Sequence, residues 1–321
     1  MVMAAMGKPE LLLAKQFDSF EELSAMAHGW NADFRQVAAT CLSHFVFQAQ
    51  IGGVLVSRAR FGCHVEQRGA TPEKMRTFAV THAECPEMRW FGHRVGSDAL
   101  LAFPTHGEIE VFSRPGFSVS TFSIDMVALA EFAERYGGPS PEDVLTDTET
   151  VIPIPAQLLK RLRYQLLTVA SMADSRNGDL NLAVGFQWRL FSILLEVFRS
   201  LGDSRPIRQP VPDRRVFENI VDLVNSRAAS HLHLVDLCTA GQISERTLNN
   251  LFRKEFGLTP KAYVKGQLLF RVHKDLWRAS SSGNSVSEIA NHWGFWHMGQ
   301  FAADYRKMFG ELPSETLKRP N

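Results

Sequence analysis

HWGFWHMGQFAADYRKMFG, residues 292–310, is the stretch on which the fold turns. Phe301, Tyr305 and Phe309 recur every fourth residue, Gly310 follows, and Pro313 stands just beyond. That is one apolar face of a helix with a stop signal at its end. The same series occurs once before: Leu248, Phe252, Phe256, Gly257 and Pro260 answer Phe301, Tyr305, Phe309, Gly310 and Pro313 at a constant offset of 53. Upstream, Leu237-Cys238 answers Ile289-Ala290 at an offset of 52, so one residue has been gained in the turn between. The quoted stretch is the second copy of a unit whose first copy is LCTAGQISERTLNNLFRKEFG, residues 237–257.

Each copy has a short helix ending in small residues, a tight turn, and a longer helix opening near a polar residue. Small residues let two helices cross closely, and the second helix then presents its first turns outward; this is the layout of a helix-turn-helix, expected here at about 234–256 and 285–309. In the first copy Leu248, Leu251, Phe252 and Phe256 face inward, leaving Glu245, Arg246, Asn249, Asn250 and Arg253 on the open face. Asn can pair bidentately with adenine and Arg with guanine, so Arg246, Asn249 and Asn250 are candidate base readers; Ser244, Arg253 and Lys254 suit phosphate contacts. In the second copy Phe301, Tyr305 and Phe309 face inward, while His297, Gln300 and Ala303 take the reading positions and Trp296, Arg306 and Lys307 the backbone ones. Trp293 and Phe295 suit core positions, although aromatic rings also stack on unpaired bases.

The segment joining the copies, about 260–278, reads as one helix roughly 28 Å long. Two reading helices on such a strut can enter successive major grooves, about 34 Å apart, on one face of DNA. Helix starts are expected near Arg214, Leu234, Ser244, Pro260, Ser285, Trp296 and Pro313. Thr259-Pro260 supplies a polar cap with Pro in the first turn, and Ser285 with Glu288 a capping box.

Toward the N-terminus the language changes at GDSRPIRQPVPD, residues 202–213, a Pro-rich stretch that reads as an extended linker. The expected domains are 1–202, a linker at 203–213, and 214–321. From about Thr40 to Ile124 short runs rich in Val, Phe, Ile and Ser alternate with Gly and Pro, which predicts a small antiparallel barrel or sandwich. Two amphipathic helices follow, with apolar seams at Leu159, Leu162, Leu166, Val169 and Ala173, and at Phe186, Leu190, Ile193, Val197 and Leu201. They can pack on the barrel, or form a helix pair that also makes a homodimer. The fold class is therefore multidomain: an α+β first half with a cupin-like antiparallel β barrel, and an all-α second half.

Composition agrees with such a division. The chain of 321 residues carries a net charge of +1, but residues 214–321 hold 15 Lys and Arg against 10 Asp and Glu, or +5, leaving −4 for the rest. Only the second half is suited to a polyanion. No segment reaches the roughly 18 uncharged apolar residues of a membrane span, so a cytoplasmic, nucleoid-associated protein is expected. Cys41, Cys63, Cys85 and Cys238 show no paired spacing, which suits reduced thiols.

With Ile289, Ala290, Gly294, Phe295, Phe301, Phe309, Gly310 and Pro313 in one unit and Leu248, Phe252, Gly257, Pro260 and Tyr263 in the other, the chain resembles the AraC/XylS family of bacterial transcription regulators over about 100 residues. Within it, WGFWHMGQFAADYRKMF and LCTAGQISERTLNNLF look most like the regulator of the ethanolamine utilisation operon. The resemblance implies two helix-turn-helix units on double-stranded promoter DNA, recruitment of RNA polymerase, and an effector-sensing or dimerising first half. That type senses ethanolamine with a cobalamin cofactor. The residues at Arg246, Asn249 and Asn250, and at His297, Gln300 and Ala303, match the family's base-contacting positions. Gln242, where the first turn often has Gly, departs from the pattern, as do Gly266, Leu268 and Val272 in the linking helix.

Trp90, Phe91, Phe103 and Phe112 are candidates to line a small-molecule pocket inside the barrel, or to fill it. His64, His82, His93 and His106, with Cys63 and Cys85, lack regular ligand spacing, and no metal site is expected. No nucleophile-elbow, Walker or dinucleotide motif occurs, so the chain is read as a regulator and not an enzyme. The alternative is a metal-dependent barrel enzyme fused to a DNA-binding tail.

Overall fold

The computed structural model describes residues 9–17, 20, 23, 26–39, 43–170, 180–201, 214–226, 232–279 and 285–319. The linker at 203–213 and Ala173 lie outside them.

Two antiparallel sheets form the first half. A seven-stranded sheet runs in the order β1 (Glu10–Phe17), β3 (His44–Ile51), β4 (Val54–Phe61), β11 (Phe117–Ile124), β6 (Arg76–Thr81), β9 (Ala99–Ala102) and β12 (Thr150–Pro153). A five-stranded sheet runs β2 (Asn31–Gln36), β5 (Val65–Ala70), β10 (Glu108–Ser113), β7 (Met88–Trp90) and β8 (His93–Val95). β1, β2 and β12 extend the strands beyond the expected bounds of about 40 and 124 on both sides. β1 is largely exposed and includes Lys15 and Gln16, so its burial contrast is weak.

The larger sheet is buried on both faces, and its side chains show this by alternation. Phe78, Val80, Leu100, Ala102, Phe122 and Ile124 point toward helices, whereas Ala79, Leu101, Phe117 and Val119 point toward the smaller sheet. Successive strand residues face opposite ways, so continuous apolar runs mark a sheet covered twice. The covering helices are α1 (Met126–Arg135), α2 (Pro141–Val144), α3 (Ala156–Leu167) and α4 (Leu180–Leu201). Leu159, Leu162 and Leu166 of α3, Val169 beyond it, and Phe186, Leu190, Ile193 and Val197 of α4 all enter the core under the larger sheet. Both apolar seams are thereby used within the chain.

The second half contains α5 (Arg214–Asn225), α6 (Leu234–Gly241), α7 (Glu245–Phe256), α8 (Pro260–Arg278), α9 (Val286–His292), α10 (Met298–Phe309) and α11 (Pro313–Lys318). Thr259 caps α8 through the amide of Ala262, with Pro260 in the first turn, and Ser285 and Glu288 form the capping box of α9. Two cores flank α8. One holds Leu237, Leu248, Phe252, Phe256 and Tyr263; the other holds Leu276, Ile289, Ala290, Phe301, Tyr305 and Met308.

The halves meet across the outer face of the smaller sheet. Arg35, Glu66, Phe112 and Arg89 stand opposite one another on β2, β5, β10 and β7, forming one transverse row. Every member touches the second half. Arg35 donates to Asn225 Oδ1 at 2.8 Å. Glu66 accepts from Gln267 Nε2 at 2.5 Å and from the Tyr263 hydroxyl at 3.4 Å. Phe112 meets Phe256 edge-on at 4.3 Å, and Arg89 pairs with Glu255 at 3.2 Å. Burial, with Glu66 beside it, pushes the Tyr263 hydroxyl well above its ordinary pKa, so it stays a donor. Next to this row α8 comes so close to the chain after β2 that a Cβ placed on Gly266 would lie 1.8 Å from the Val37 carbonyl oxygen. The glycine noted as a departure within the linking helix is thus a point of close approach.

Candidate nucleic-acid interface

The two repeated units are α6–α7 and α9–α10. In the first, α6 ends at Gly241, where an added Cβ would sit 2.9 Å from Ile220 Cδ1, and the chain turns through Gln242 at φ 52° and ψ 40°. Gln242 takes the left-handed position itself, because Gly241 is used for packing against α5. In the second unit Gly294, at φ 85°, holds the left-handed place. The turns share two hydrogen bonds: Gln242 N–H donates to Thr239 O at 3.1 Å as Gly294 N–H does to Asn291 O at 3.0 Å, and Ile243 N–H donates to Cys238 O as Phe295 N–H does to Ala290 O, each at 3.0 Å.

Those bonded residues keep the offset of 52, whereas the helix caps Ser244 and His297 stand 53 apart. The additional residue of the second copy is therefore Trp296, which lies between Phe295 and His297. It is 67% exposed. The residue gained in the turn, expected from the change of offset, is located by these backbone bonds.

Ser244 accepts the Thr247 amide and starts α7, while His297 starts α10 with no side-chain cap. Both helices stop at a left-handed glycine, Gly257 at φ 70° and Gly310 at φ 80°. Leu248, Phe252 and Phe256 bury one face of α7; Phe301, Tyr305 and Met308 bury one face of α10. Leu251 and Phe309, expected inside, are half-buried, and Phe309 stacks on His273 at 4.2 Å.

The opposite faces are open. Ser244, Arg246, Asn250, Arg253 and Lys254 are exposed along α7, and Asn249 is half-buried. Trp296, His297, Gln300, Ala303, Arg306 and Lys307 are exposed along α10. The open face of α7 sets Arg246, Arg253 and Lys254 against Glu245. On α10, Asp304 is drawn aside by Lys265 at 2.5 Å, which leaves Arg306 and Lys307 as the charges of that face. Two of the side chains expected from the sequence to read bases are engaged locally: Asn249 Nδ2 donates to Glu245 O at 3.0 Å, and Gln300 Nε2 to Asp304 Oδ2 at 3.0 Å. Trp293 and Phe295 pack with the second core, and the Trp293 indole N–H donates to Asp275 at 2.7 Å.

The expected barrel pocket is not assembled as such. Trp90, Phe91 and Phe103 are buried in mutual edge-to-face contact at 5.1–6.2 Å and fill the space between the sheets. Phe112 points out of the opposite face, onto Phe256, because its neighbours Val111 and Ile109 share the parity of the inner layer. Among the described residues no group of three or more His, Cys, Asp or Glu side chains gathers as a metal site. A cleft of about 570 Å3 does open beside the sheets, lined by Thr71, Lys74, Arg76, Thr105, His106 and Asp147 among others. No helix among those described is long and apolar enough to cross a membrane.

A domain with two open, cation-bearing helices, each fixed on a crossing partner, belongs to the helix-turn-helix class of transcription regulators. The family model described as "Helix-turn-helix domain" matches residues 237–319. The chain is 39% identical over 103 residues to the XylDLEGF operon transcriptional activator of Pseudomonas putida, covering 32% of this chain and 32% of that one. Such relatives are thus matched over about a third of their length. With the uncharacterized HTH-type transcriptional regulator YidL of Escherichia coli (strain K12) it is 30% identical over 214 residues, covering 66% of this chain and 67% of that protein. It also aligns with the AraC-like transcriptional activator CuxR at 11% identity and a TM-score of 0.42, covering 87% and 99% of the two chains. The chain belongs to the AraC/XylS-type helix-turn-helix regulators.

Proposed function

We propose that this protein is a sequence-specific, double-stranded DNA-binding transcription regulator, an effector-responsive activator of a metabolic operon that works through RNA polymerase. The observation that carries this reading is the pairing of two equivalent open helix faces on one strut, α8. Arg246, Asn249 and Asn250 read bases from α7, and His297, Gln300 and Ala303 from α10. Ser244, Arg253, Lys254, Trp296, Arg306 and Lys307 hold the phosphates and sugars. Residues 214–321 are the DNA-binding domain with both units. Residues 1–202 form a cupin-like sensing domain, and 203–213 the linker between them. A homodimer in the bacterial cytoplasm would double the site. Among effectors, the ethanolamine and cobalamin of the similar regulator type are the first to try by thermal shift, since a ligand selective for the folded state raises its stability.

DNA selected from a random duplex pool by the full chain supplies the test. Binding should weaken steeply with salt. Arg246→Ala and Asn250→Ala should each relax preference at one or two base pairs by about 1–3 kcal/mol, while Lys254→Ala and Arg306→Ala should weaken all duplexes alike and reduce the salt slope by about 1. Unchanged discrimination in Arg246→Ala, Asn249→Ala and Asn250→Ala alike would refute the assignment.

A further inference from the structure

The first half places a hydrogen-bond donor at the C-terminal end of each of α7 and α10. The last four carbonyls of a helix have no partner within it. Gly257 N–H serves Arg253 O, and Gly310 N–H serves Arg306 O. The first half serves one more on each helix: the Arg114 guanidinium donates to Lys254 O at 2.5 Å, and Gln36 Nε2 donates to Met308 O at 2.7 Å. A cation at the end of α7 also suits the helix dipole.

Gln36 ends β2, and with Val37 it forms a wedge between the two units. The Val37 side chain is buried in the first unit's core, with Leu248, Phe252 and Tyr263. Its N–H donates to His64 O at 2.9 Å, and its carbonyl is the atom that Gly266 of α8 accommodates. Gln36 is buried as well, and its Nε2 also donates to Ala38 O at 3.0 Å. Two consecutive residues thus meet the first unit, the strut and the second unit. α8 joins the units once and the wedge joins them again, so the units and the first half make a closed frame. Arg246, Asn250, His297 and Gln300 remain exposed with the halves docked in this way.

Such a frame has a consequence measurable in base pairs. Adding one base pair between two half-sites shifts one against the other by about 3.4 Å and turns it by about 35°. A bond of 2.7 Å withstands a separation of only about 0.5 Å before its geometry is lost. A lone helix bends gently, so α8 without the wedge would follow such a change more readily.

We infer that Gln36 and Val37 are spacing-determining residues: the first half, docked at the ends of α7 and α10, sets how far apart two half-sites must lie. The inference rests on the proposed reading of duplex DNA by these helices and narrows it to one class of duplex, with two half-sites at one fixed separation.

Duplexes selected by the full chain from a random pool, remade with one base pair added or removed between the half-sites, supply the test by fluorescence anisotropy. The parent chain should bind both altered duplexes at least about tenfold more weakly, the equivalent of one buried hydrogen bond. Gln36→Met keeps the bulk and removes the donor; it should cut that penalty to below about threefold, with base preference inside each half-site as in the parent. Arg114→Ala, at a half-buried position, should reduce the penalty in the same direction, and Lys160→Gln, on α3, should leave it unchanged. A parent chain that tolerates the altered duplexes would overturn the spacing role and leave base reading intact. So would a folded Gln36→Met chain as intolerant as the parent or, where that chain does not fold, an equally intolerant Arg114→Ala chain. Absence of base preference in either half-site would overturn both readings together.

Discussion

Gly266→Ala is a perturbation whose sign the seam determines. In a free helix the change should stabilise by about 1 kcal/mol, because alanine is the better helix former. Here the new Cβ would lie 1.8 Å from Val37 O and 2.7 Å from Val37 C, both backbone atoms that no rotamer change can move. A carbon–oxygen contact needs roughly 3.3 Å, so helix and strand must separate by about 1.5 Å. Overpacking of this kind costs about 1–3 kcal/mol, and a backbone obstacle belongs at the upper end. The same retreat stretches the Glu66–Gln267 bond, now 2.5 Å, and strains the buried Arg89–Glu255 pair at 3.2 Å. The net expectation is a loss of roughly 2 kcal/mol confined to the seam. Hydrogen exchange by mass spectrometry on the full chain reads it: protection should fall in β5, β7 and α8 and hold in α9 and α10. A variant that gains stability with seam protection unchanged would refute the close-approach argument.

Two further outcomes follow from buried polar groups. Tyr305→Phe should lower stability by about 1–3 kcal/mol in urea denaturation, since the Tyr305 hydroxyl meets His273 Nδ1 at 2.5 Å and Thr316 Oγ1 at 2.8 Å, and both would remain buried without it. Burial, then Arg114 beside His64 and Arg58 with Arg163 beside His82, hold both imidazoles at a pKa of about 4 against an ordinary 6.5. The unfolded chain takes up these protons as pH falls through about 6.5 and the folded chain only near 4, so stability should be level above that window and decline within it. His82→Asn should flatten the decline between pH 6.5 and 4.5, measured by denaturant midpoints; an unchanged slope would count against the assignment.

Much of the second half was legible because short-range signals coincide there. Thr259-Pro260, Ser285 with Glu288, and the fourfold spacing of Phe301, Tyr305 and Phe309 each carry a local reason, and the repeat supplies each reading twice. The open faces of α7 and α10 follow from that spacing alone. The first half was legible only as strand language. Alternation tells which residues share a face of β10, but not that Phe112 faces the second half while Val111 faces the space between the sheets. The transverse row of Arg35, Glu66, Phe112 and Arg89 joins four strands distant in sequence, so no window contains it. Gly266 reads from the sequence only as a departure within the linking helix, because its reason lies outside that helix: its neighbour is Val37, 229 positions earlier. The Trp90, Phe91 and Phe103 rings could have lined a cavity or filled it, and volume, which the sequence does not reveal, decided for filling.

If Asn249 reads a base, as proposed above, the bond from its Nδ2 to its own helix at Glu245 O bears on how fidelity would arise. A side chain that is already satisfied gains nothing from a base that merely tolerates it. Only a partner offering a better-aligned acceptor can draw the amide away, and a mismatched base leaves it where it was. With Asn249 in its proposed role, recognition at this position would be an exchange reaction, with discrimination set by the difference between two hydrogen bonds and not by the strength of one. On that reading Asn249 would meet a mismatched base with its amide still on Glu245 O, and a matched base only after a change of rotamer.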